Sequence, residues 1–423
     1  MAIKLRDLKT EARNLAQAGQ LGPALALHEH MLAQSPLDHD SRRRVADLLL
    51  QLGDKAGASQ VFRAVAMNDI RFGHPLPAIV ACKVLASLGE KVDDLVGAIA
   101  ASYAHGSKAL AKFTSRPAPV DLDAEIAPVD PGAGADVAAA AGRARARAVD
   151  VSGVGQYPAQ FLPVPFFSEL PRKLFPLAVD MLRLIRGGDG DMVIREGEPG
   201  RAFYFVASGE VRVLATTAAS PKPVELTRLY EGSLFGEMAL YTDQPRTASI
   251  GVVGEADLLE IAREAVDRLC AEVPALTERI DKFARERVLK NLLATSPLFK
   301  PFDQKQQMDL IKRFDGHEVP AGTVIIRQGE QGKGLFTILL GEVEVIATGA
   351  DGQERQLARL GAGGLFGEMA LLDDSPTTAT VRAVSPTTIL FLGRPYFQRL
   401  IKALPSMRKY FEDLATARRL EQS

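Results

Sequence analysis

Tryptophan is absent from the 423 residues, and cysteine occurs only twice, at Cys82 and Cys270. Without tryptophan, no ligand is stacked on an indole platform. Two cysteines so far apart form neither a disulfide framework nor a metal-spaced pair, which is the expectation for a reducing cytoplasm. No run approaches the roughly 18 to 20 apolar residues of a membrane span. The first residues, Met1 to Asp7, are charged and lack an apolar signal core. An excess of one charge is also missing. The 51 Lys and Arg face 52 Asp and Glu, so the net charge of −1 gives no global footprint for nucleic acid. No Ser/His/Asp or Cys/His arrangement for a nucleophile is legible, and an enzyme is not expected. The 47% apolar and 24% charged content excludes a mostly disordered chain. The length predicts roughly three domains.

What is present is a long internal repeat. Gly197, Gly200 and Gly209 recur at one constant offset as Gly329, Gly332 and Gly341. The run Phe235-Gly236-Glu237-Met238-Ala239-Leu240 recurs, one position short of that offset, as Phe366-Gly367-Glu368-Met369-Ala370-Leu371. A period this long is a duplicated domain rather than a solenoid unit. Each copy alternates apolar and polar residues. Phe203, Phe205 and Ala207 precede Ser208-Gly209, then Val211 and Val213 point in while Glu210 and Arg212 point out. Val343 and Val345 repeat this against Glu342 and Glu344. Alternation about a glycine predicts a hairpin of a half-buried sheet. Helical spacing returns at Ala265, Leu269, Leu276 and Ile280, and again at Phe397, Leu400, Ile401 and Leu404.

The segment from Phe235 to Ile250 carries the chemistry. Gly236 lets the backbone approach a ligand closely. Glu237 is an acceptor-only carboxylate, suited to a sugar hydroxyl. Arg246 offers a planar fork that matches a phosphate, and Thr247 adds a hydroxyl. Taken alone, Glu237 and Arg246 read as a structural ion pair at a turn. Within the whole segment they read as a ligand site, together with Phe235, Met238, Ala239 and Ala248.

Phe235-Gly236-Glu237, the short apolar stretch after it and Pro245-Arg246-Thr247-Ala248 resemble the phosphate-binding cassette of cyclic nucleotide-binding domains. The upstream Arg-x-Gly-Glu and Gly-Glu-Val elements match in both copies. The resemblance covers about residues 160 to 423 and implies a β-roll, jelly-roll-like, with helices at both ends. It also implies that Glu237 binds the ribose 2′-hydroxyl and Arg246 the cyclic phosphate. In that family a Thr after the arginine is associated with tolerance of cGMP, so cAMP and cGMP both stay open, and cyclic dinucleotides with them. The family's base-capping residue falls within Asp281 to Leu293.

The second copy departs from the pattern. Its candidate site is Gly367, Glu368, Met369, Ala370, Thr377, Thr378 and Ala379, and Thr377 stands where the arginine is expected. Losing a charge-assisted hydrogen bond costs roughly 1.5–3 kcal/mol, about 10- to 150-fold in affinity. Asp373 adds a negative charge. Weak or absent binding of the usual ligands is expected there.

The chain from Met1 to Leu110 reads helical. Gly19, Gly53 and Gly89 mark turns at a nearly even spacing, each seven residues after a small residue, Ala12, Ala46 or Cys82. The spacing resembles tetratricopeptide repeats, whose period is about 34 residues, and a generic helical bundle fits equally. Either gives a module that binds a protein partner. Between the helices and the first copy, Ala, Pro and Gly dominate, and this linker is expected not to order itself apart from a short helix from Ala138 to Ala148. Arg143, Arg145 and Arg147 read as a solvated stretch, with a loose likeness to the pseudosubstrate of kinase A regulatory subunits. Arg42-Arg43-Arg44 reads as a basic helix face, and His28 and His30 as surface or packing residues.

The expected organisation is α+β: a helical domain at 1–113, a linker at 114–158, and nucleotide-binding domains at 159–292 and 293–423. The expected function is a non-enzymatic cytoplasmic receptor for cAMP or cGMP, with no cofactor, metal, nucleic acid or membrane span. It would pass ligand binding in its first domain to a protein partner through the second domain and the helices. The alternatives are an adaptor whose nucleotide folds bind nothing and a kinase regulatory subunit. A catabolite activator-like regulator is not expected, since the segment after Pro405 is too short for a helix-turn-helix.

Overall fold

The computed structural model describes residues 3–111, 120–129, 134–150, 160–164, 166–217, 220–236, 245–246, 248–272, 302–349 and 351–422, with positions 277–278, 289, 292–293, 296 and 298–299. Two compact units divide the chain. The first comprises residues 1–198, 202–236 and 246–276, and the second 199–201, 237–245 and 277–423.

The first unit opens with six helices: α1 (Leu5–Gln17), α2 (Leu21–Gln34), α3 (His39–Gln51), α4 (Lys55–Phe72), α5 (Pro75–Ser87) and α6 (Asp93–Tyr103). Gly19, Gly53 and Gly89 have φ of 75°, 82° and 87° at the ends of α1, α3 and α5. A left-handed residue without a Cβ ends a helix at little cost, so the glycine spacing did mark the turns. Asp38 and Asp54 cap α3 and α4, their carboxylates accepting from the Ser41 and Gly57 amides at 3.1 and 2.8 Å.

The expected linker is partly ordered. Glu125–Ile126 (β2) pairs antiparallel with Ile3–Lys4 (β1). Helix α7 (Val137–Val149) packs on α2, α3 and α4. Ala140, Ala144 and Ala148 recur every four residues, are fully buried and form its contact stripe. Small side chains bring the helix axes close, so an alanine-rich segment packs without large apolar residues. Arg42 belongs to this contact and not to a solvated face. It is 2% exposed and donates to the carbonyls of Ala148 and Asp150 at 2.7 and 2.9 Å, closing the C-terminal end of α7. Arg143 pairs with Glu29 at 3.0 Å and Arg145 with Asp54 at 3.6 Å, so the arginine run faces the helices.

After the short helix α8 (Phe175–Met181) comes a rolled antiparallel sheet. Its strands are β3 (Arg183–Gly187), β4 (Met192–Ile194), β5 (Ala202–Thr217), β6 (Ser220–Tyr230), β7 (Leu234–Phe235) and β8 (Ser249–Ala262), followed by helix α9 (Arg263–Glu272). The order is β3-β8-β5-β6, with β4 on β8 and β7 on β5. Gly209 does not turn a hairpin. The strand continues through it with register shifts at Ser208, and the position needs glycine because a Cβ there would meet Glu255 O at 2.1 Å. Alternation alone does not separate a bulge from a turn. Ala202 to Ser208 is buried on both faces. Tyr204 and Val206 face the roll interior with Val211, Phe235 and Val252, while Phe203 and Phe205 meet Phe166 and Phe167.

The second unit repeats the roll after helix α10 (Gln304–Ile311). Its strands are β9 (Asp315–Val319), β10 (Val324–Ile326), β11 (Gly334–Leu340), β12 (Val343–Thr348), β13 (Glu354–Leu360), β14 (Leu365–Phe366), β15 (Thr380–Ala383) and β16 (Thr387–Gly393). Helix α11 (Glu368–Leu372) follows β14, and α12 (Arg394–Ala403) and α13 (Pro405–Gln422) close the unit. Two sheets form, β10-β15-β12-β13 and β14-β11-β16-β9. At Gly341 the chain passes from one sheet to the other, so this glycine does not turn a hairpin either. Phe397, Met407 and Phe411 pack the closing helices onto Leu335, Leu365 and Leu371. The architecture is α+β, helices first and two β-rolls after them. Among the described residues no helix is long and apolar enough to cross a membrane.

Candidate functional site

In the first roll, β7 ends at Phe235, whose ring stacks on Tyr204 with centroids 5.1 Å apart and planes 12° from parallel. Gly236 follows with φ 78°. A Cβ there would stand 2.9 Å from Arg246 Nη1 and 3.3 Å from Ala202 O, so the guanidinium fills the space a side chain would take. Arg246 donates from Nη1 to Gly236 O at 3.1 Å and from Nη2 to Ala202 O at 2.7 Å. Its Cζ lies 5.9 Å from the Tyr204 ring centroid. The backbone is fixed as well: Arg246 N donates to Glu198 O at 2.9 Å and Gly197 N donates to Arg246 O at 2.8 Å. Thus the Arg-Glu-Gly-Glu element, read as a repeat marker and a family match with no role assigned, is the support on which the arginine sits. Within it Glu196 accepts from the Thr216 hydroxyl and amide, which holds its carboxyl below the usual range. Ala248 leads into β8 and is half-buried. Of the candidate residues, Phe235, Gly236 and Arg246 are brought together. Glu237, Met238, Ala239 and Thr247 lie outside the described residues, as do Leu276, Ile280 and most of Asp281 to Leu293.

The second roll shows the whole candidate set. Gly367 has φ 88°, and a Cβ on it would meet Gly334 O at 2.7 Å and Phe336 at 3.2 Å. Phe366 stacks on Phe336 at 5.0 Å. Gly367, Glu368, Met369 and Ala370 run from β14 into α11. Thr377 is 7% exposed. Its hydroxyl turns inward to the carbonyls of Arg327 and Glu330, 2.5 and 3.1 Å away. Thr378 is exposed and Ala379 buried.

Three arginines outside the predicted set surround this cassette. Arg418 on α13 donates to Glu368 Oε1 at 2.7 Å and to Leu365 O at 2.7 Å. Arg419 pairs with Asp373, and Arg394 with Asp374. Each cassette carboxylate therefore has its own counter-ion. Glu368 is 1% exposed, and its Oε2 accepts no hydrogen bond among the described residues. The sequence held no signal for these pairs, which join residues 20 to 50 positions apart.

Among the described residues no cluster of His, Cys, Asp and Glu could hold a metal ion. His28 is a packing residue, pushed down to about 4 by burial, and His30 bonds Ala127 O at 2.7 Å.

Comparison with known proteins places a family on both rolls. Residues 188–273 and 317–403 match the model of the cyclic nucleotide-binding domain. A cAMP-dependent protein kinase regulatory subunit from Blastocladiella emersonii is 31% identical over 215 residues, 51% of this chain and 51% of that one. The cGMP-dependent protein kinase egl-4 of Caenorhabditis briggsae is 28% identical over 250 residues, 59% of this chain and 32% of that one. The chain thus spans about half or less of the curated relatives it matches. The solved regulatory domain of Toxoplasma gondii PKA with cAMP is 24% identical and covers 60% of this chain and 92% of its own, but its TM-score of 0.28 is too low to bear on fold or ligand. The two β-rolls of this chain are tandem cyclic nucleotide-binding domains.

Proposed function

We propose that the chain is a receptor for a cyclic nucleotide, cAMP or cGMP, and that it catalyses no reaction itself. The observation that carries this is the placement of Arg246 beside Gly236. A guanidinium lies against bare backbone at the end of β7, resting on two carbonyls that a phosphate oxygen replaces as partners. Glu237 supplies the acceptor for the ribose hydroxyl, with Met238, Ala239, Thr247 and Ala248 completing the site. The second cassette, without the arginine, binds weakly or not at all. No cofactor or metal takes part.

Ligand binding in the first domain is passed to a protein partner, with the helical module as tetratricopeptide-like docking surface. Coupling of this kind requires that the nucleotide bind two states of the protein with different affinity. The kinship with kinase regulatory subunits makes a kinase the first partner to test, in the cytoplasm. Helix α7 already covers part of α2, α3 and α4, so the partner meets other faces of the module.

Calorimetric titration of cAMP and cGMP into the full chain tests the receptor reading. Binding at one site, weakened about 10-fold or more in Arg246→Ala, supports it. No heat with either nucleotide and an unchanged melting temperature would leave the adaptor reading in its place.

A further inference from the structure

The turn that leads into the first cassette is held from outside the roll. Glu231 lies four residues before Phe235, in a turn fixed to β5 through Gly232 N to Val206 O and Val206 N to Ser233 O, both 2.9 Å. His74 of the helical module, at the start of α5, places Nδ1 2.6 Å from Glu231 Oε1. His74 is itself positioned, since its amide donates to Asp69 O at 2.8 Å and its ring lies 5.5 Å from that of His39. Asp69 is 1% exposed, and neither of its carboxylate oxygens accepts a hydrogen bond among the described residues.

Other ion pairs clamp the module to the same roll. Arg186 of β3 bridges Asp47 of α3 at 2.6 Å and Asp257 of β8 at 3.2 Å. Arg44 of α3 reaches Glu255 at 3.0 Å. These contacts grip β3 and β8, whereas His74 grips the cassette approach.

We propose that the helical module sets the affinity of the first nucleotide site through His74, which holds Glu231 and thereby fixes the turn that delivers Phe235 and Gly236. The inference rests on the receptor reading and gives it a mode of regulation. His74 is a positioning residue and touches no ligand.

The contact also responds to pH. Burial lowers the proton affinity of His74, but the hydrogen bond and charge of Glu231 and the charge of Asp69 outweigh burial, so its pKa is raised. The imidazolium form bonds a carboxylate more strongly than the neutral ring does. The extra strength is present below 6.5 and is lost as pH rises through the raised value. The titratable and charged groups around His74 are Arg43 and His39 on α3, Asp69 on α4, Glu231 on the turn and, beyond them, Arg42 on α3 and Asp257 on β8. Burial keeps His39 neutral, so it does not compete for the proton near neutrality. Asp69, pushed up to about 7 by burial, ionises near neutrality and its charge then favours the protonated form of His74.

The test uses the full chain, His74→Gln and His74→Lys, with cAMP and cGMP titrated from mildly acidic to mildly alkaline pH. Amide hydrogen exchange at residues 231–236 is followed without nucleotide. The wild type is expected to lose about 2- to 5-fold in affinity across this range, the scale of a part-exposed ion pair. His74→Gln is expected to sit at the high-pH value throughout, and His74→Lys to keep the low-pH value. Exchange at residues 231–236 is expected to quicken in His74→Gln. Unchanged exchange overturns the proposed latch whether or not nucleotide binds. Faster exchange with unchanged affinity overturns the coupling. If neither nucleotide binds the wild type, the receptor reading fails and the effect on affinity fails with it, while exchange still reports the contact.

Discussion

Arg246 and Thr377 stand at the same point of two copies of one fold. The amide of each donates at 2.9 Å to the carbonyl of a glutamate, Glu198 or Glu330, and the carbonyl of each accepts at 2.8 Å from a glycine, Gly197 or Gly329. The backbones are superposable in their bonding, and the side chains do opposite things. Arg246 reaches across to Gly236 and Ala202, while the Thr377 hydroxyl turns back to Arg327 and Glu330. The carbonyl of Gly334, equivalent to that of Ala202, lies beside Gly367 in the second roll. Thr377→Arg is therefore expected to create a second nucleotide site, read as a rise in calorimetric stoichiometry from one toward two. Strengthening by about 10-fold or more is the scale of one charge-assisted bond. An unchanged stoichiometry would mean that the paired carboxylates also bar the ligand.

Gly236→Ala puts a methyl 2.9 Å from Arg246 Nη1 in a left-handed conformation. The backbone alone costs about 1–2 kcal/mol, and the guanidinium must move. Nucleotide binding is expected to fall further than stability does, since the displaced group is the proposed phosphate partner. Parallel titration and urea unfolding separate the two effects.

Arg418→Ala leaves Glu368 buried without its counter-ion. Breaking a buried pair from one side costs about 3–5 kcal/mol. The second unit is expected to melt earlier, and Arg418→Ala with Glu368→Gln is expected to recover part of the loss. A single mutant that melts like the wild type would show that α13 does not hold the cassette.

The pH dependence of stability has two opposing limbs. Burial pushes His28 down to about 4 and, with His74 and Arg43 beside it, His39 down to about 3. Both are neutral in the fold and take a proton in the unfolded chain, so their contribution is present above 6.5 and is lost as pH falls toward 4. Asp69, up to about 7, and His74 act the other way and lose stability as pH rises. Urea unfolding of the full chain is expected to show greatest stability of the first unit near pH 6.5. His28→Leu is expected to flatten the acid limb by more than half, because two histidines drive it and Asp69 opposes them over the same range.

Local spacing carried the legible part of this structure. The constant offset from Phe235-Gly236-Glu237 to Phe366-Gly367-Glu368 exposed both rolls, and Gly19, Gly53 and Gly89 marked helix ends because left-handed backbone selects glycine. Gly209 misled, since a bulge and a turn use the same residue. Helix α7 was underrated because Ala140, Ala144 and Ala148 count as weak apolars, yet their smallness is what lets the helix seat on α2. Arg42 read as basic surface for want of its partners, the α7 carbonyls 106 and 108 positions away. The same distance hid His74 from Glu231, 157 positions apart, and hid Arg418 from Glu368. Long-range ion pairs leave no periodicity to read.

In the proposed receptor, one arginine in one of two cassettes carries nucleotide binding. Equilibrium dialysis of labelled cAMP and cGMP against the full chain, Arg246→Ala and Thr377→Ala tests it most directly. One site per chain is expected, weakened about 10- to 150-fold by Arg246→Ala and untouched by Thr377→Ala. Two sites in the wild type, or binding that survives Arg246→Ala at full strength, would contradict it.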